Sequence, residues 1–115
     1  MLQTCIREYS NKVVKYLCAE VRADVMGDGQ GNHDYRFTSM DDVRKLVEIS
    51  GINMNIVLDY RHGYVYLTCA TPSSAPRYTS VAMPGEMFLL DLATREFSSV
   101  SRSHFEMHYR VLDRI

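Results

Sequence analysis

The pattern of apolar and polar positions changes period several times along the chain. From Lys12 to Met26 the tail alternates. Leu17, Ala19, Val21, Ala23 and Val25 fall on one side, and Tyr16, Cys18, Glu20, Arg22 and Asp24 on the other. A two-residue period argues for a half-buried strand, the preferred reading. A helix competes, because Val14, Leu17, Cys18, Val21 and Val25 also form a stripe. Gly27-Asp28-Gly29-Gln30-Gly31-Asn32 then supplies residues that tolerate positive φ, and so predicts a turn. Tyr35–Thr38 reads as the returning strand. A short helix over Leu2–Tyr9 is expected to precede them.

The period then lengthens. Val43, Leu46 and Val47 recur at helical spacing, which predicts a helix over Met40–Ser50. Ser39 is expected to cap it through its hydroxyl, with Asp42 completing a capping-box pattern and Gly51 closing the helix in the left-handed conformation. Alternation returns in Asn53–Tyr60 and Tyr64–Ala70, on either side of Arg61-His62-Gly63, and predicts a hairpin. In its second strand Tyr64, Tyr66 and Thr68 oppose Val65, Leu67 and Cys69. Thr71–Pro76 reads as a loop, Tyr78–Ala82 as a short strand, and Met83-Pro84-Gly85-Glu86 as a turn. Met87–Leu92 and Glu96–Val100 predict another hairpin. Ser103 and Glu106 repeat the capping-box spacing, so a helix is expected over Ser103–Arg110, with Val111–Ile115 as a tail. Together these elements predict one α+β domain: a mixed or antiparallel sheet of about five to seven strands with two or three short helices packed on it.

Composition narrows the function classes. The 115 residues carry 46% hydrophobic and 23% charged side chains, which is ordinary for a single globular domain. A formal net charge of −1 argues against a dedicated nucleic-acid binder, since such proteins show a basic excess. Cys5, Cys18 and Cys69 have no paired spacing, so buried inert thiols and a reducing compartment are expected. No apolar run approaches a membrane span of ~20 residues, and the N-terminal segment lacks a signal-peptide pattern, so no membrane role is expected.

The C-terminal third carries Pro84-Gly85-Glu86 before an apolar strand, Glu96-Phe97 at a strand start, and a closing Phe105-Glu106-Met107-His108-Tyr109 helix. In these motifs the chain resembles a family of small phage and prophage proteins, with the spacing from Glu96 to Tyr109 fitting without a gap. The likeness is specific over residues 83–109 and loose before them. It departs at Glu86-Met87, where the family carries Asp and an aromatic, and by an extra residue in the Ala93-Thr94-Arg95 turn. The resemblance implies fold and phage origin and transfers no catalytic residue; with the expected free thiols and the missing signal pattern, the host cytoplasm is the expected location.

Candidate chemistry is sparse. His104 and His108 stand four apart on an expected helix and could share a metal with His33 or His62, but Glu does not follow the first His directly as in the zinc-protease motif. A partly exposed pair is the favoured reading, and no metal or other cofactor is expected. The Gly27–Gly31 stretch lacks the Lys-Ser/Thr of a phosphate loop, and Asp24, Asp28, Asn32 and Asp34 do not match the spacing of a calcium loop. Glu20, Glu48, Asp59 and Glu86 could pair as acid and base only if folding brought two together, so no catalytic residue is assigned.

Tyrosine is the remaining signal, with eight Tyr against four Phe and no Trp. Tyr60, Arg61, His62, Tyr64, Tyr66, Arg77 and Tyr78 gather in and around one hairpin, and Tyr and Arg are enriched at binding hot spots. These seven are the expected partner-binding residues. The bland reading is an amphipathic sheet face, since Tyr suits strands. The functional expectation is a phage-encoded accessory protein that occludes a host protein, such as a defence component (an anti-CRISPR or other anti-defence role) or a regulator. A sponge for a nucleotide signal is the runner-up, with a pocket of aromatic and arginine lining shared between protomers of a homo-oligomer. A nucleic-acid accessory role comes third.

Overall fold

The structure, a computed structural model, describes residues 2–69 and 77–114. Its elements are β1 (Gln3–Tyr9), β2 (Lys12–Glu20), β3 (Ala23–Gly27), β4 (His33–Phe37), α1 (Met40–Ser50), β5 (Met54–Asp59), β6 (Tyr64–Cys69), β7 (Arg77–Ala82), β8 (Met87–Asp91), β9 (Phe97–Val100), α2 (Arg102–His108) and β10 (Arg110–Arg114). The α+β class and the antiparallel pairing are as expected. The described residues form ten strands rather than about five to seven, in three sheets rather than one: β10-β1-β2-β8-β9, β3-β4 and β5-β6-β7. The expected loop Thr71–Pro76 lies outside the described residues.

The five-stranded sheet is buried on both faces. On one side Leu17, Ala19, Phe88, Leu90 and Phe97 pack with Met40, Val43 and Leu46 of α1 and with Val65, Leu67 and Ala82 of the three-stranded sheet. On the other, Cys5, Tyr16, Cys18, Met87 and Leu89 meet Phe105 of α2, with Tyr109 against them. This is why Met87, Phe88, Leu89 and Leu90 are buried in unbroken succession. It also explains the first correction. The expected helix over Leu2–Tyr9 is instead the strand Gln3–Tyr9, because Thr4, Cys5 and Ile6 are all buried between β2 and β10. The expected tail likewise continues as β10, pairing with β1.

The strand register overturns the reading of three inert thiols. Gln3 pairs with Cys18 and Cys5 with Tyr16, so Cys5 and Cys18 are diagonal neighbours on one sheet face. They form a disulfide across a Cα separation of 6.9 Å. Disulfides persist in oxidising surroundings, so the cysteines no longer argue for a reducing compartment. Among the described residues, no helix is long and apolar enough to cross a membrane.

The alternating run after Lys12 is strand, broken at Val21-Arg22 by its neighbours. The Val21 N–H donates to the Glu86 carbonyl, and the Val21 carbonyl accepts from Gly85, so the Pro-Gly turn replaces a strand partner there. Arg22 serves the start of α1 in a similar way. Its N–H donates to Ser39 Oγ, and that hydroxyl donates to the Glu20 carbonyl. Ser39 is therefore the N-cap residue but not through its side chain, correcting the expected capping box. Gly51 closes α1 with φ 70°, as expected. In α2 the cap is Ser101 rather than Ser103, its hydroxyl accepting from the His104 N–H.

The remaining sheets extend this core. Ser99 Oγ donates to the Val81 carbonyl at 2.6 Å, joining β9 to β7. At the other end the Tyr35 N–H donates to the Tyr60 carbonyl at 2.7 Å, joining the β3-β4 arm to the end of β5.

Candidate functional site

Two aromatic regions compete for a functional role, and their surroundings separate them. The first lies under α2. Tyr16 meets Tyr109 edge to face at 5.5 Å, and Tyr109 stacks on Phe105 at 5.3 Å. The Arg7 guanidinium lies 4.5 Å from the Tyr9 ring centroid and 5.5 Å from that of Tyr109. Burial pushes the Tyr16 phenol well above its ordinary range, and its contact with the Tyr9 hydroxyl adds to the shift. These rings are spent on one another.

The second region is the β5-β6-β7 sheet. Alternation in β6 turns Val65 and Leu67 fully inward, while Tyr64 and Tyr66 lie half-buried on the opposite face. Their ring centroids are 5.8 Å apart. The register sets Val57 of β5 and Val81 of β7 on either side of Tyr66. Val57 is 47% exposed and Val81 38%, so the row Val57–Tyr66–Val81 presents apolar surface outward. Sequence reasoning missed the two valines. The signal was there: once the hairpin register is set, the Asn55-Val57-Asp59 side of β5 must share the tyrosine face.

The other expected residues divide. Arg61 and His62 sit exposed in the turn after β5, and both of their backbone N–H groups donate to Asp59 Oδ1. The His62 ring bonds the other Asp59 oxygen at 2.9 Å. Partial burial works against ionisation of Asp59, yet the His62 N–H, the His62 ring and the Arg61 N–H together hold its carboxyl below the usual range. Tyr60 is 56% exposed and turns away from Tyr64 and Tyr66 toward the β3-β4 arm, with its ring 6.0 Å from Phe37. Arg77 and Tyr78 contribute backbone to β7, where Tyr78 pairs with Thr68; their side chains lie outside the described residues.

The Tyr35–Tyr60 junction creates a groove of about 390 Å³, lined among others by Tyr35, Phe37, Met40, Arg44, Leu58 and Tyr60. A second, about 260 Å³, lies beside it between His33, Tyr35, Arg61 and His62. Neither was visible in the sequence, because their walls come from segments far apart along the chain.

The weaker candidates resolve into local structure. Asp28 accepts from the Gln30 N–H, the Asn32 N–H and the Asn32 side chain, and Asn32 and Gln30 hold its carboxyl below the usual range. Its oxygens serve the turn. The His104 and His108 rings are tilted against each other with centroids 4.5 Å apart, and no group of three or more His, Cys, Asp or Glu able to hold a metal occurs among the described residues. Glu20 is engaged by Arg22 and Arg102, and Glu86 by the Met83 N–H.

In comparisons with known proteins, no family model, no curated protein and no solved structure matched the chain.

Proposed function

We propose that the chain acts by non-covalent recognition of a protein partner through the outer face of the β5-β6-β7 sheet. One observation carries this: Tyr64 and Tyr66 stand on the solvent side beside exposed Val57 and Val81, while Val65 and Leu67 of β6 are fully buried. Tyrosine contributes large, rigid contact area with a polar tip, the character of binding hot spots. Arg61 and His62 at the adjoining turn supply a polar rim. Steric occlusion of the partner would follow from occupation of that face. The motif likeness over residues 83–109 favours a phage accessory protein, whose partner would be a host defence or regulatory component. Near-neutral net charge gives a nucleic-acid role little support.

The test is capture of the partner from a bacterial lysate by wild type and by Arg61→Ala and Tyr64→Ala, with the melting temperature measured for each. The reading predicts that yield falls at least about tenfold for Tyr64→Ala, as for a hot-spot truncation, with melting nearly unchanged. Equal yields for wild type and both variants would overturn the assignment of this face.

A further inference from the structure

The groove at the Tyr35–Tyr60 junction has a chemistry that the sheet face lacks. Three rings, Tyr35, Phe37 and Tyr60, line it together with Leu58 and Met40. Phe37 and Tyr60 stand 6.0 Å apart with their planes tilted by 57°. Tyr60 is 56% exposed, and an exposed aromatic face accepts a flat ring by stacking. Asp41 lines it too, as do two arginines, Arg36 from the arm and Arg44 from α1. Their partners hold them weakly. Arg36 pairs with Asp24, whose side chain is 56% exposed, and Arg44 with Asp41, whose side chain is 93% exposed. Ion pairs this exposed contribute little, so either arginine can exchange its carboxylate for a ligand's anion. Arginine's planar fork suits phosphate in particular.

The wall is also built in advance. The Tyr35 N–H bond to the Tyr60 carbonyl fixes the two strands at 2.7 Å. Gly63 has φ +80°, and a Cβ there would come within 2.9 Å of the Tyr35 ring, so the turn leaves that ring its room. A volume of about 390 Å³ lies at the small end of ligand pockets.

We propose that this groove binds a mononucleotide, with the base among Tyr35, Phe37 and Tyr60 and the phosphate on Arg44. The site is complete within one chain and uses Tyr60 alone of the residues singled out in the sequence. It stands apart from the protein-binding face, which depends on Tyr64 and Tyr66.

The experiment is calorimetric titration of the full chain with the four 5′-nucleoside monophosphates, and with adenosine and inorganic phosphate. At least one monophosphate should bind, at least about tenfold tighter than adenosine or phosphate alone, since a charge-assisted contact is lost in one case and stacking in the other. Arg44→Ala and Tyr60→Ala should each weaken binding about tenfold or more. Asp41→Asn, which removes the competing carboxylate, should tighten it, an effect a merely structural role for Arg44 would not produce. Arg102→Ala, on α2, should leave it unchanged. The proposal is overturned if no monophosphate gives heat at millimolar concentration, if adenosine binds as tightly as its monophosphate, or if Arg44→Ala binds as wild type.

Discussion

The rings under α2 and the rings on the β5-β6-β7 sheet are the same residue types put to opposite uses. Tyr16 is 8% exposed and meets Tyr9 and Tyr109, while Tyr109 also stacks on Phe105 and lies against Arg7. Tyr64 and Tyr66 have a fully buried aliphatic layer behind them and exposed valines beside them. Aromatic content alone therefore does not mark a recognition surface. What marks it is an aromatic face whose strand already buries its other side, so that the rings are not needed for the core.

Substitutions sharpen that contrast. The largest expected effect is in the closed region: Phe105→Ala should cost about 3–5 kcal/mol, as for truncation of a buried phenylalanine. Chemical or thermal unfolding would show it, whereas Tyr64→Ala on the open face should shift the transition far less. If the two variants destabilise equally, the two regions do not differ as described. Next comes the disulfide that staples β1 to β2. The two cysteines are 13 residues apart, a loop for which cross-linking contributes about 3 kcal/mol in the chain-entropy account. Adding reductant should lower the melting temperature of wild type and leave a Cys5→Ala/Cys18→Ala variant unmoved. No response of wild type to reductant would show that the bridge is absent or without effect.

Smaller effects belong to the junction. Gly63→Ala places a side chain at positive φ and against the Tyr35 ring, and should cost roughly 1–2 kcal/mol, the left-handed penalty for a non-glycine residue. Intrinsic tyrosine fluorescence and melting would both report it. The smallest effect concerns Asp59. Its carboxyl is depressed in the folded chain, so the unfolded state binds the proton more readily and stability rises with pH. The contribution is present above the ordinary carboxylate range, about pH 4, and is lost as pH falls through the depressed value. Asp59→Asn should flatten the stability profile in that acid window and nowhere else.

Much of the local architecture was legible. The helix Met40–Ser50 announced itself by a 3.6-residue stripe and a closing glycine, and the β5-β6 hairpin by alternation around Arg61-His62-Gly63. Legibility failed where burial is two-sided. Thr4, Cys5 and Ile6 are buried in succession, so β1 has no polar–apolar contrast to read. The disulfide followed it out of view, because Cys5 and Cys18 become neighbours only through the β1-β2 register. Ser39 misled for a different reason: its hydroxyl found long-range partners at Glu20 and Arg22 that no local pattern encodes. Of the expected binding residues, the period of β6 places Tyr64 and Tyr66 together. Tyr60 departs because its carbonyl is claimed by the N–H of Tyr35, far from it along the chain.

The outward commitment of the β6 rings can be read directly by tyrosine nitration under limiting reagent, with sites resolved by mass spectrometry. The account predicts Tyr60 modified first, Tyr64 and Tyr66 following, and Tyr16 last. Nitration of Tyr16 as fast as Tyr60, with Tyr64 and Tyr66 protected in the free chain, would contradict it.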